Sequence, residues 1–224
     1  MADTTQPLIQ RDALIAGATG LIGRELFKLL LSSHHYHRIH VLLRRHARDL
    51  GPDERVSLHY VEYHKLTPMP PVDDVFITLG TTIDVAGSKE AFRRVDYDAV
   101  LATARACLLR GAKRLVVVSA LGASTRSMVF YNRVKGQMEE AVSKLPYESV
   151  TIVQPSLLLG DRAALGQPER SGEQWAAKLL KPVMPLVPRG VRPIAAEDVA
   201  RAMLDAALKA EPGVHVIRSG RMQG

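Results

Sequence analysis

Cysteine is nearly absent from this sequence: Cys107 is the only one in 224 residues, so no intrachain disulfide is possible. It falls within an apolar helical pattern, where a buried, inert thiol is expected. Long apolar runs are lacking too. No stretch reaches the roughly 18 uncharged residues that a membrane-spanning helix needs, and Met1 to Asp12 is polar, without the apolar centre of a secretory signal. A cytoplasmic protein with no membrane partner is the expectation. The net charge is +7, yet no basic run exceeds two residues, and no helix-turn-helix, zinc finger or aromatic-interleaved basic strand accompanies it. A solvated basic surface without a nucleic-acid partner is expected. His34, His35, His37 and His40 have no cysteine or carboxylate at ligand spacing, so no metal is expected.

What remains is an ordinary globular composition, 46% hydrophobic and 24% charged, with 16 glycines and 13 prolines. It excludes collagen-like, disordered and coiled-coil chains, and the length fits one domain over residues 1–224. Asp12 to Ala18 is a short apolar run closed by glycine, and Leu21 to Leu31 repeats apolar residues at helical spacing. Strands are then expected at Ile39 to Leu43, Val56 to Val61, Asp74 to Leu79, Arg114 to Val118 and Ser149 to Val153. Helices are expected at Glu90 to Arg110, ending at Gly111, and at about Tyr131 to Lys144. Beyond a loop rich in Gly, Arg and Pro, Gln174 to Leu180 and Glu197 to Ala210 read as helical and Val214 to Ile217 as a last strand. Such alternation predicts an α/β chain, a single-domain, doubly wound parallel sheet with helices on both faces and a small C-terminal lobe. Ligands of these sheets sit at the carboxyl ends of the strands.

Gly17-Ala18-Thr19-Gly20-Leu21-Ile22-Gly23 leaves the first strand and opens the first helix. The first glycine permits a tight turn, the second lets the backbone approach a pyrophosphate, and the third allows close helix packing. The helix N-terminus adds unpaired N–H groups and a positive dipole end. Gly17, Thr19, Gly20, Leu21, Ile22 and Gly23 are therefore candidate dinucleotide contacts, in a core spanning about 11–155, with about 156–224 as the loop and C-terminal part. About twenty residues on, where an acidic residue would bind the ribose of NAD(H), stand Arg44 and Arg45. Their guanidinium forks match a 2′-phosphate, so NADP(H) is expected over NAD(H). Tyr131-Asn132-Arg133-Val134-Lys135 sets a phenol and an ammonium one helical turn apart on one face. An ammonium there favours phenolate, which makes the tyrosine a usable proton donor or acceptor near neutral pH.

These residues resemble the short-chain dehydrogenase/reductase superfamily in its extended and atypical branch, over nearly the whole chain. The likeness is closer to the NAD(P)H-binding proteins grouped with the HIV Tat-interacting oxidoreductase. It is carried by GATGLIGR, VLLRR, LGTT, AGSKEAFRRVD, VSALGA, YNRVKGQME, QPSLLLGDR and RSGE. The resemblance implies that Leu79 and Gly80 pack against the cofactor, that Tyr131 donates a proton to a substrate carbonyl, and that Lys135 holds the nicotinamide ribose. It also implies cofactor contacts at Leu158 and Arg170. One departure concerns the hydroxyl that commonly binds the substrate carbonyl: the stretch reads Ser119-Ala120-Leu121, with Ser119 the only nearby hydroxyl on the strand. Ser119 is therefore the third catalytic candidate. The function expected is NADP(H)-dependent hydride transfer to or from a small carbonyl or alcohol. The alternative is an NADP(H)-binding redox sensor with little turnover and a protein partner. A sugar-nucleotide epimerase or dehydratase shares the fold, but usually with a longer C-terminal lobe.

Overall fold

The computed structural model describes residues 10–47, 50, 53–66, 68–159, 188 and 190–223. Seven parallel strands form one sheet: β1 (Arg11–Ala16), β2 (Tyr36–Leu43), β3 (Val56–Tyr60), β4 (Asp74–Ile77), β5 (Arg114–Val118), β6 (Ser149–Gln154) and β9 (Gly213–Arg218). Their spatial order is β3-β2-β1-β4-β5-β6-β9. The chain reverses its direction of growth between β1 and β4, and it is outside the carboxyl ends at such a reversal that ligands of these sheets bind. Two short strands, β7 (Leu158–Leu159) and β8 (Ile194–Ala195), pair separately.

Alternate residues of each buried strand feed opposite faces, as a period of two requires. Ala13, Ile15, Val41, Phe76, Val116 and Val153 meet α1 (Leu21–Ser32) and α6 (Ala196–Lys209), through Leu26, Leu30, Val199 and Met203. Leu14, Leu42, Val75, Ile77, Leu115 and Ile152 meet α4 (Val100–Leu108) and α5 (Phe130–Ser143), through Leu101, Ala104, Met138 and Val142. Each valine, leucine, isoleucine, phenylalanine or methionine side chain among them that is taken out of water contributes about 1.5 to 3 kcal/mol. Cys107 sits in the second layer, fully buried, and burial pushes its thiol up to about 12, which makes it a packing residue.

The long helix expected from Glu90 to Arg110 is divided. α2 (Ile83–Ala86) precedes α3 (Lys89–Arg93), whose N-cap Ser88 accepts from the Ala91 amide, and a π-helical turn, Arg94–Ala99, joins α3 to α4. β2 begins three residues earlier than its apolar run, because Tyr36 is buried and its hydroxyl donates to Asp74 at 2.8 Å. Of the C-terminal part, α6 packs on α1, β9 completes the sheet, and a final turn, α7 (Ser219–Met222), follows. The helix expected at 174–180 lies outside the described residues.

Two histidines tie β2 to β3: His40 Nδ1 and His59 Nε2 lie 2.9 Å apart. Burial, and for His40 then the neighbouring ring, holds both below the ordinary histidine range. Asp12 opposes this at His40 and Arg38 reinforces it. Depressed folded values mean that the unfolded chain binds more protons, so this stability is present above pH about 6.5 and is lost as pH falls. Thermal melts at pH 7.5 and 5.5 should differ by about 2 to 4 °C, partial solvent access keeping the effect small. In His59→Gln, whose amide accepts from a protonated His40, that difference should shrink.

Candidate active site

The strand register brings the motifs level. Ala16 pairs with Leu42 on one side and Ile77 on the other, so Gly17 and Thr78 begin their loops level with Leu43, the last residue of β2. Gly17 has φ +98°, and a Cβ added there would lie 2.6 Å from Thr78 Oγ1 and 2.8 Å from the Thr78 carbonyl carbon. Gly23 packs harder still, since a Cβ would fall 2.0 Å from the Gly17 oxygen. Two of the three loop glycines are therefore demanded by the fold. Gly20 is not: among the described residues, an added Cβ would meet only the Gly17 oxygen within 4 Å, at 3.4 Å. No other described residue crowds it. Gly20 is also the N-cap of α1, with no side-chain cap and no acidic residue in the first turn. That leaves the amides of Leu21, Ile22 and Gly23 without partners inside the helix and with no carboxylate in their own turn to repel an anion. These features fit the pyrophosphate of a dinucleotide.

Thr19 is exposed in this loop, and its carbonyl accepts from Arg24 Nε at 3.4 Å. Arg44 and Arg45 follow β2 and are both exposed. Arg44 lies close enough to Tyr63 to counter the burial that pushes that phenol up to about 12. The charges expected to meet a 2′-phosphate thus stand at the strand end beside the glycine loop. Leu79 leans into the second core layer, while Gly80 is exposed.

Gly80 leads to the chemistry. A Cβ on it would sit 3.8 Å from Lys135 Nζ and 3.4 Å from Asp96 Oδ1. Lys135, on the buried face of α5, is 3% exposed at its side chain, and Asp96, from the π-helical turn, is fully enclosed. Nζ and Oδ1 are 2.8 Å apart, an ion contact that falls short of hydrogen-bond alignment. Asp96 Oδ2 accepts from the Thr81 amide at 2.9 Å, and Lys135 Nζ also faces the Val118 carbonyl at 3.5 Å. Burial disfavours the charge on Lys135, but Asp96 and then Tyr131 outweigh it and hold the ammonium above the usual lysine range. Tyr131 is partly exposed at the start of α5, its ring 5.3 Å from that of Phe92. Its helix is tied back to the preceding loop by the Ser124 amide, which donates to the Asn132 carbonyl.

Ser119 stands just past β5 but turns inward: its hydroxyl is buried with no hydrogen bond of good geometry. It still lies close enough to Glu139 to favour that carboxylate. Glu139, one turn beyond Lys135, is pushed up by burial and pulled back by Ser119, Gln154 and Lys135, with Gln154 Nε2 donating to it at 2.9 Å. Leu158 is half-buried in β7, against the first core layer. Arg170 lies outside the described residues. Among these residues, sequence reasoning singled out neither Asp96 nor Glu139 as a functional group. The signal was available for Asp96: it falls between Phe92 and Val100 at i, i+4 spacing, a carboxylate on a helix face that is otherwise apolar.

A profile described as NAD(P)H-binding matches residues 17–210. Protein FMP52, mitochondrial, of Eremothecium gossypii is 36% identical over 154 residues, which cover 67% of this chain and 68% of that one. The Candida albicans protein of the same name is 31% identical over 212 residues, 87% of each chain. Among solved structures, MoeE5 in complex with UDP-glucose and NAD superposes with TM-score 0.68 at 17% identity, over 94% of this chain and 79% of its own. The oxidoreductase ylbE from Lactococcus lactis gives 0.64 at 16%, over 91% and 88%. Identities this low show the shared fold alone. The relatives' names also overturn the expectation of a cytoplasmic protein, since they read mitochondrial. The physical reason is that mitochondrial addresses are amphipathic and arginine-rich, so a missing apolar signal segment says nothing against them.

Proposed function

We propose, from the premise that this chain belongs to the NAD(P)H-binding family of atypical short-chain dehydrogenase/reductase-like proteins, that it is an NADP(H)-dependent oxidoreductase acting on a small carbonyl or alcohol. The observation that carries the reading is a partly exposed phenol, Tyr131, one helical turn from a buried ammonium, Lys135, which lies beside Gly80 at the carboxyl edge of the sheet. When bound, the nicotinamide supplies or accepts the hydride. Everything else falls to this chain. The α1 amides and Gly20 would receive the pyrophosphate, and Arg44 and Arg45 the 2′-phosphate. Leu79, Gly80 and Leu158 would flank the nucleotide. Lys135 would hold the ribose, and Tyr131 would give the substrate oxygen its proton or take it away. The closer likeness to the group of the HIV Tat-interacting oxidoreductase belongs to the same proposal.

A second reading has one observation in its favour. Ser119 is turned inward and Ala120 follows it, so no strand hydroxyl is offered to a substrate carbonyl, as a cofactor-binding sensor would tolerate. Incubating the protein with NADPH and a panel of aldehydes and ketones separates the two. Loss of nicotinamide absorbance supports the enzyme; tight binding with no turnover across the panel supports the sensor.

Cofactor choice is a separate prediction. A charge-assisted fork to the 2′-phosphate is worth about 1.5 to 3 kcal/mol, so NADPH should bind about ten- to a hundredfold more tightly than NADH. Changing Arg44 and Arg45 together to Ala should erase that ratio in calorimetry. Equal dissociation constants in the unaltered protein would defeat the assignment.

A further inference from the structure

Among the described residues Lys135 is the one buried lysine or arginine, and the carboxylate in ion contact with it does not come from its own helix. The charged and titratable groups facing it are Asp96 from the π-helical turn and Tyr131 and Glu139 from α5, while β5 offers only the Val118 carbonyl. Of these, Asp96 is the one in ion contact, and it is itself pinned by the Thr81 amide. The π-helical turn matters here. Such turns widen a helix by one residue and recur at functional sites. This one lies where α3 passes into α4, and it sets Asp96 inside the protein beside the exit of β4.

Resting on the cofactor reading above, we propose that Asp96 is the positioning residue of the site: it holds the Lys135 Nζ as a buried ammonium between the exits of β4 and β5, so that the cation meant for the ribose stays charged across the working pH range. A lysine enclosed without a counter-ion gives up its proton far more readily than one in water. Two carboxylates are in reach, but Glu139 is shared with Gln154 and Ser119 and is itself disfavoured by burial, which leaves the task to Asp96. The tie to Thr81 adds a second consequence. The same carboxylate fixes the turn carrying Gly80, so cation and cofactor-facing backbone are held by one group.

The test uses Asp96→Asn, whose amide oxygen still accepts from Thr81 while the charge is gone. Two readouts are taken between pH 7 and pH 9.5. The first needs no ligand. In the unaltered protein Lys135 stays charged over this range and its contribution is level. In the variant the folded lysine binds its proton less tightly than the unfolded one, so stability rises with pH and the urea-midpoint gap between the two proteins should shrink to about half its pH 7 value. The second is NADPH affinity, which in the variant should fall about tenfold more than in the unaltered protein as pH rises. Adding Lys135→Arg to the variant supplies a cation that keeps its proton, and should flatten both pH dependences. A gap in stability and affinity that is constant with pH would overturn the proposal and leave Asp96 a structural group. If the unaltered protein fails to bind NADPH, the cofactor reading fails, and the urea measurement still decides whether Asp96 keeps Lys135 charged.

Discussion

Tyr131→Phe is expected to lower turnover by about 10²- to 10⁴-fold while leaving NADPH affinity within about twofold, the loss typical of a missing general acid. The ring contact with Phe92 at 5.3 Å survives the change, because only the hydroxyl is removed. Packing at the start of α5 therefore stays intact, and a fall in rate reports the proton rather than the fold. The measurement is NADPH consumption with the best carbonyl of the panel, alongside calorimetric titration of the cofactor. A rate untouched by the substitution would remove Tyr131 from the chemistry. Under the sensor reading there is no such rate to lower, and the variant should match the unaltered protein in every binding measurement.

Lys135→Met should be costlier to the protein than to any single property of the site. The substitution fills the same space but strands the Asp96 carboxylate, fully enclosed, with the Thr81 amide as the partner left to it. Breaking a buried pair from one side costs about 3 to 5 kcal/mol, roughly 10²- to 10³-fold or more in the folding equilibrium. Urea denaturation should show that loss directly. Adding Asp96→Asn removes the stranded charge and keeps the acceptor for Thr81, so the double variant should regain most of the stability. It should regain neither ribose binding nor turnover, since both tasks assigned to the ammonium are gone. A single variant as stable as the unaltered protein would show that the ion contact does not matter to the fold.

Much of this architecture is legible in one dimension because its causes are local. Apolar runs of four to eight residues, glycine after the first strand and helical spacing in between require a parallel sheet with covered faces, whatever the details of packing. The same holds for Gly17 and Gly23, whose places in the turn are demanded by close backbone approach, and for Tyr131 and Lys135, whose proximity follows from helical periodicity alone. Arg44 and Arg45 are readable for a similar reason, since the end of β2 must lie beside the end of β1. Other features depend on contacts between residues far apart in the chain. Asp96 meets Lys135 across 39 positions, and although its i, i+4 spacing with Phe92 and Val100 marks an inward face, no spacing says which cation that face meets. Ser119 reads as a candidate hydroxyl by its place after β5, but whether it faces outward or toward Glu139 is decided by how α5 lies against β5 and β6. Local pattern is enough to say which groups stand near the edge of the sheet. Tertiary packing alone decided which are enclosed and which charge neutralises which, because the energy of a buried charge depends on the partner that reaches it through space.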